Sequence, residues 1–208
     1  MPSVAYGCCV GSWDRFNRYV LPPAGDAPVL GLSGQTSIAD AYNVMLRWAY
    51  AENIEMLILQ HDDLEILDPD HVAKFAAVFA ADEYAMLAGV AGGGARGGLA
   101  WWNRDPVGHQ RTDAMEIDFG PRAGVVDLLE GSILAFSRGG IERLGFESRP
   151  GFHGYDEIAM AATRQPGWCA VVVDVDTHHH TALGFDNEAS HQDWLAADQW
   201  FRRKWSIA

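Results

Sequence analysis

Apolar and polar positions along this chain follow two rhythms. Short apolar runs closed by turn residues, "SVAYGCCVG" (3–11) and "APVLGLSG" (27–34), predict strands, and "WDRFNRYVLPP" between them predicts a short helix stopped by Pro22-Pro23. In "SIADAYNVMLRWAYAEN" (37–53), Ile38, Ala41, Tyr42, Met45, Trp48 and Ala49 recur at helical spacing, with Ser37 as the cap of the first turn. "EMLILQHDD" (55–63) predicts the next strand. "DPDHVAKFAAVFAAD" (68–82) predicts a helix with Asp68 as cap and Pro69 at its first position, and "YAMLAGVAG" (84–92) a further strand. The glycine stretch "AGGGARGG" (91–98) reads as a mobile loop.

The second half is more mixed. "LLEGSILAFSR" (128–138) predicts a strand with a glycine in it, "GGIERLG" (139–145) a short helix, and "YDEIAMAATRQPG" (155–167) a helix closed by Pro-Gly. "WCAVVVDVDTHHH" (168–180) predicts one long strand, and "EASHQDWLAADQWFRRKW" (188–205) an amphipathic helix carrying Trp194, Trp200, Phe201 and Trp205. Alternating strands and helices predict an α/β protein whose sheet has a parallel portion, with ligands at the strands' C-terminal ends. With no repeat and no shift of composition, residues 1–208 are expected to form a single domain.

Composition changes this picture little: 49% hydrophobic and 21% charged residues suit one sizeable core. Charge changes it more. A net charge of -13, from 15 Lys and Arg against 28 Asp and Glu, works against an anionic membrane and mildly against a nucleic-acid acceptor. The one basic cluster is Arg202, Arg203 and Lys204. Cys8, Cys9 and Cys169 form no disulfide framework and have no metal-ligand spacing, and neither a leader nor a membrane-length apolar run is evident. The expectation is a protein of the reducing cytoplasm. The tryptophan-rich last helix could cover the core or a partner, which leaves oligomerisation open.

Four places could carry chemistry. His61-Asp62-Asp63 ends an apolar strand, where two carboxylates either face solvent or share a divalent cation such as Mg²⁺ or Mn²⁺ with a diphosphate. In "DVDTHHH" (174–180) an extended backbone puts Asp174, Asp176, His178 and His180 on one face and Val173, just before it, with Val175, Thr177 and His179 on the other, a credible metal or phosphate ligand set or a polar strand end. "GFHGYDEIA" (151–159) sets Asp156-Glu157 at a helix start, as macrodipole partners or as a general base. "GLAWWNRD" (98–105) offers Trp101 and Trp102, which could stack on a sugar or fill the core.

Taken in order, these segments resemble the GT-A fold of nucleotide-sugar-dependent glycosyltransferases, specifically the family 2-like group, over nearly the whole chain. His61-Asp62-Asp63-Leu64 is similar to the "HQDV"-like stretch that stands in for the DxD metal motif, which matches Asp63 to the metal-binding acid. "SIADAYNVMLRWA" resembles the Ala-x-x-Asn helix that places Asn43 near the nucleotide. "VVDLLEGSILAFSR" resembles the "DG" strand beside the donor sugar, with Glu130 in place of the usual Asp, and "FHGYDEIAMAATRQPGWCAVVVDV" resembles the segment holding the catalytic acid, which matches Asp156 to the general base. "HHHT" is similar to the histidine segment that completes the metal shell, and "WFRRKW" to a closing "F-x-x-KW" helix.

The resemblance implies a Rossmann-like GT-A domain with a central mixed, mostly parallel sheet flanked by helices. It implies an inverting, hexosyltransferase-like enzyme that moves a sugar from a nucleotide-diphosphate donor, a UDP-sugar foremost, to an acceptor hydroxyl. The implied donor surface is Gly11, Ser12, Ser33, Gly34, Asn43, His61, Asp62, Glu130 and Gly131. Asp63, His178 and His180 would hold Mn²⁺ or Mg²⁺, with the choice among His178, His179 and His180 left open. Trp101, Trp102 and His153 would form a lid or acceptor platform. His61 departs from the usual first Asp, and without a Gln-x-x-Arg-Trp segment a processive synthase is not expected. The competing readings are a non-catalytic nucleotide- or sugar-binding module and a metal-dependent phosphohydrolase.

Overall fold

The computed structural model describes residues 2–149, 151–181 and 188–207. From the N-terminus run β1 (Val4–Val10), α1 (Trp13–Arg15), a π-helical turn (Phe16–Val20), α2 (Leu21–Ala24), β2 (Val29–Ser33), α3 (Ile38–Ala51), β3 (Met56–Gln60), β4 (Leu64–Ile66) and α4 (His71–Ala81). Then come β5 (Ala85–Gly89), β6 (Ala91–Gly93), β7 (Val107–Thr112), β8 (Glu116–Asp118), β9 (Gly124–Val126), β10 (Leu128–Leu129) and β11 (Ile133–Ser137). The chain continues through α5 (Arg138–Arg143), α6 (Glu157–Thr163), β12 (Cys169–Val172), β13 (Thr177–His179) and α7 (Glu188–Trp205).

Seven strands form the central sheet in the order β2-β1-β3-β11-β5-β12-β9. β2, β1 and β3 are mutually parallel, as are β5 and β12, while β11 runs antiparallel between β3 and β5 and β9 antiparallel to β12. β3 is buried along its whole length, which explains why "EMLIL" shows no alternation. Its Leu57 and Leu59 pack with Tyr42 and Met45 of α3, and its Met56 and Ile58 pack with Phe75 of α4 on the other face. A smaller sheet, β10-β6-β7-β13-β4 with β8 beside β7, stands at the end of the central one, and α7 packs Ala197 and Phe201 against Ala91, Trp101 and Leu128.

Several local expectations change for physical reasons. Pro22 and Pro23 do not stop the first helix; they occupy the opening turn of α2, where a missing N–H costs nothing, and the helix ends at Gly25 with φ +56°. Asp70, not Asp68, stands at the cap of α4, and Asp68 pairs with Lys74. The glycine stretch is packed rather than a loose loop: β6 lies inside it, and a Cβ at Gly93 would sit 2.5 Å from the Trp101 carbonyl oxygen. The predicted long strand 168–180 is two strands in different sheets. β7 (VGHQRT) and β8 (EID) are largely polar and β9 (GVV) is only three residues long, so no apolar rhythm announces them.

Candidate active site

Because β1, β2 and β3 are parallel, the segments that follow them gather at one edge of the sheet. β11 enters from that edge, its Ile133 paired with Gln60, so Glu130, Gly131 and Ser132 meet His61, whose N–H donates to the Ser132 carbonyl at 2.9 Å. This register brings residues seventy positions apart together.

Asp62 and Asp63 divide their work. Asp62 is 5% exposed, and its carboxylate accepts the backbone N–H of Gly11 at 2.8 Å and of Ser12 at 2.5 Å, tying the turn after β1 to the end of β3. A solvent-facing role for it is therefore corrected. Arg15, which the sequence reading overlooked, lies 3.1 Å from Asp62 Oδ1 and 3.7 Å from Asp63 Oδ2, so the repulsion between adjacent acids is relieved within the protein. Asp63 faces the imidazoles: Oδ1 is 3.2 Å from His179 Nε2 and 3.9 Å from His61 Nδ1. Burial opposes ionisation of Asp63, but the His179 hydrogen bond and the surrounding positive charge prevail and hold it down to about 2. Burial likewise opposes the charge on His179, yet its bond to Asp63 raises it, whereas burial lowers His61.

The structure thus sets His179 beside Asp63 and His61, and carries His178 and His180 to the opposite side of β13. His178 lies 3.0 Å from Asp113, and His180 lies 2.9 Å from Glu65. The expected grouping of Asp63 with His178 and His180 is not formed. One ligand atom from each of His61, Asp63 and His179 falls within 4.8 Å of the others. Two imidazoles, one carboxylate and open positions fit Mn²⁺ better than Mg²⁺, which prefers oxygen throughout. Tyr155 Oη, 2.7 Å from His61 Nε2, leaves Nδ1 directed toward Asp63, an outer contact of the kind that orients metal ligands.

A cavity of about 440 Å³ opens beside these groups, lined by His61, His179, Glu130, Tyr155, Asp156 and Trp102 among others. The loop before α6 is anchored from two sides: Ser37 Oγ donates to the Arg149 carbonyl at 2.6 Å, and Phe152 N–H donates to Asp193 of α7. Asp156 is half-buried, and burial, with Glu130 nearby, pushes its carboxyl up to about 7. Its neighbour Glu157 is 3% exposed and accepts from Lys204 and Trp205, which makes it structural. Glu130 accepts from Ser132 N–H and Oγ–H.

The remaining expected residues separate. Gly11, Ser12, Ser33 and Gly34 lie at the same sheet edge. Asn43 does not reach it with a free amide, because both ends of its side chain bond Phe146, Nδ2 donating to the carbonyl and Oδ1 accepting the N–H, each at 2.8 Å. Trp101 is 4% exposed and packs in the core, so it forms a wall and not a mobile lid; Trp102 is 45% exposed and stacks on Trp194 at 6.1 Å. His153 also lines the cavity, and its Nε2 is 3.2 Å from Ser190 Oγ. Asp174 and Asp176 flank the buried His109.

Gly131 is required by close approach: a Cβ there would lie 2.5 Å from Tyr155 Cζ and Oη. Gly131→Ala is expected to displace Tyr155, loosen His61 and destabilise the protein by about 1–3 kcal/mol, read as a lower urea midpoint. An unchanged midpoint would show that Tyr155 is not held as described.

No family model and no curated protein matches the chain. Solved structures do match it. A197 from STIV aligns with a TM-score of 0.54 at 15% identity, over 88% of this chain and 87% of its own. GalNAc-T7, solved with UDP, GalNAc and Mn²⁺, aligns with a TM-score of 0.60 at 12% identity, over 88% of this chain and 44% of its own. The mannosyltransferase PcManGT from Pyrobaculum calidifontis, in complex with GDP-Man and Mn²⁺, aligns with a TM-score of 0.55 at 14% identity, over 92% of this chain and 59% of its own. The chain spans about half the length of these two transferases. At such identities the likeness establishes architecture, and the architecture is the mixed α/β, Rossmann-like GT-A fold.

Proposed function

We propose that the protein is an inverting glycosyltransferase, one domain across residues 1–208, that moves a sugar from a nucleoside-diphosphate donor to an acceptor hydroxyl. The observation that carries this reading is that Asp156, a carboxyl poised near neutrality, lines the same cavity as His61 and His179 of the His61–Asp63–His179 group. Two solved structures of the same fold hold a nucleotide and Mn²⁺, one with UDP and GalNAc and the other with GDP-Man, which favours a nucleotide sugar without choosing its base. A UDP-sugar is the first donor to examine.

His61, Asp63 and His179 would hold Mn²⁺, which when bound supplies Lewis-acid stabilisation of the departing diphosphate. The chain's own residues do the rest. Arg15 and the Asp62-anchored turn at Gly11 and Ser12 shape the donor end, while Glu130 and Gly131 border the sugar. Asp156 removes the proton of the acceptor hydroxyl as that oxygen attacks the anomeric carbon. Attack from the face opposite the diphosphate inverts the configuration. Trp102, stacked on Trp194 at the cavity mouth, offers an apolar face to an acceptor ring.

Product analysis tests the reading. With donor, Mn²⁺ and a panel of sugar and alcohol acceptors, nucleotide release should rise when acceptor is present, and the glycoside formed should carry the inverted configuration. Acceptor-independent phosphate or nucleotide release with no glycoside points to a hydrolase, and donor binding without turnover to a binding module.

A further inference from the structure

β13 has two chemically armed faces, and the reading above uses only one. We propose that the other face is a second divalent-cation site, built from Glu65, His178 and His180 and suited to Zn²⁺ or a similar late first-row ion. His178 lies directly across from Glu65 in the β13–β4 ladder. His180, one residue past the end of β13, lies beside His178, with the imidazole rings stacked at 4.1 Å. One ligand atom from each of the three side chains falls within 4.8 Å of the others.

Asp113 completes the arrangement. Its Oδ1 is 3.0 Å from His178 Nε2 and 3.4 Å from His180 Nδ1, while Glu65 Oε2 is 2.9 Å from His180 Nε2. Two imidazoles with two carboxylates, or with one carboxylate and a water, satisfy the four-coordinate preference of Zn²⁺, and a carboxylate on a ligand's second ring nitrogen fixes its orientation. Tyr19 stacks on His180 at 4.2 Å and 15°, closing one side. Tyr19 and Glu65 also border an open groove of about 420 Å³, through which an ion could enter. Without an ion, the same groups pair as imidazole and carboxylate. Cation binding replaces those pairings.

The site stands independently of glycosyl transfer, and its stoichiometry distinguishes it from the His61–Asp63–His179 group. The experiment is spectroscopic titration with Co²⁺, a Zn²⁺ substitute that gives intense visible bands when four-coordinate. Asp63→Asn, which disarms the first group, should still take up one equivalent of Co²⁺ with such bands, and Zn²⁺ should displace it. Glu65→Gln or His178→Gln in that background should weaken binding more than about 100-fold. If Asp63→Asn folds poorly, His179→Gln supplies the same background. Failure of the folded Asp63→Asn or His179→Gln protein to bind, or binding that survives both Glu65→Gln and His178→Gln, overturns the assignment.

Discussion

Asp156→Asn is expected to lower glycosyl transfer by about 10²–10⁴-fold while leaving donor affinity in place, because the amide keeps the shape of the carboxyl and cannot accept the acceptor's proton. The same substitution should raise the melting temperature. Burial pushes the Asp156 carboxyl from 3.8 up to about 7 in the folded protein, so the native state holds a proton there that the unfolded chain gives up above its ordinary range. Stability contributed by that proton is complete at low pH and is lost as pH rises through about 7. Asparagine removes the cost of the buried charge, and the gain should be several degrees at pH 8 and smaller at pH 5. In the unmodified protein, kcat/KM should fall about tenfold per pH unit below about 7 as the base becomes protonated. A variant with full activity, or one whose melting temperature drops at pH 8, would remove Asp156 from this role.

The second large effect is expected at Asp63. Its carboxyl is held down to about 2, chiefly against burial, by the His179 hydrogen bond and nearby positive charge. It therefore contributes stability above the ordinary carboxylate range that disappears as pH falls from about 4 through about 2. Asp63→Asn takes away the single carboxylate of the His61–Asp63–His179 group and should weaken Mn²⁺ more than about 100-fold. The variant should also melt at a lower temperature at neutral pH, since a half-buried, raised His179 loses its partner. Calorimetric titration with Mn²⁺ reads the first effect, and thermal unfolding at pH 7 and pH 3 reads the second. Unaltered Mn²⁺ affinity would place the metal elsewhere.

Much of the architecture could be read from the chain because its determinants are local. α3 follows from six apolar positions at helical spacing and the Ser37 cap, whose hydroxyl accepts from Asp40 N–H at 3.1 Å. β1, β2 and β3 follow from apolar runs of the right length. What escaped reading depends on contacts distant in sequence. Arg15 lies nearly fifty residues before the acids it neutralises, and nothing in "SWDRF" marks it. Tyr155 and Gly131 make sense only once β11 is seen to enter beside His61.

Residues of one type in a row also separate only through geometry. Among His178, His179 and His180, strand alternation puts two on one side and one on the other, but which side meets Asp63 depends on how β13 is seated between β4 and β7. Asp62 and Glu157 are the structural members of their acidic pairs because one takes backbone N–H groups and the other Lys204 and Trp205. Asn43, read as a nucleotide contact, is spent on holding the Phe146 loop. In 91–98, Gly92 and Gly93 serve close backbone approach, and Gly98 takes a positive φ of 73° against the Asp198 and Arg202 side chains.

The most direct test of the central claim is the melting temperature with a set of nucleotide sugars, with and without Mn²⁺, in the unmodified protein, Asp63→Asn and Asp156→Asn. A ligand that binds only the native state raises that temperature, by an amount that grows with the logarithm of one plus the ratio of free ligand concentration to Kd. The account predicts that one donor stabilises the unmodified protein and Asp156→Asn only when Mn²⁺ is present, and leaves Asp63→Asn unmoved. Stabilisation without Mn²⁺, or undiminished in Asp63→Asn, would contradict it.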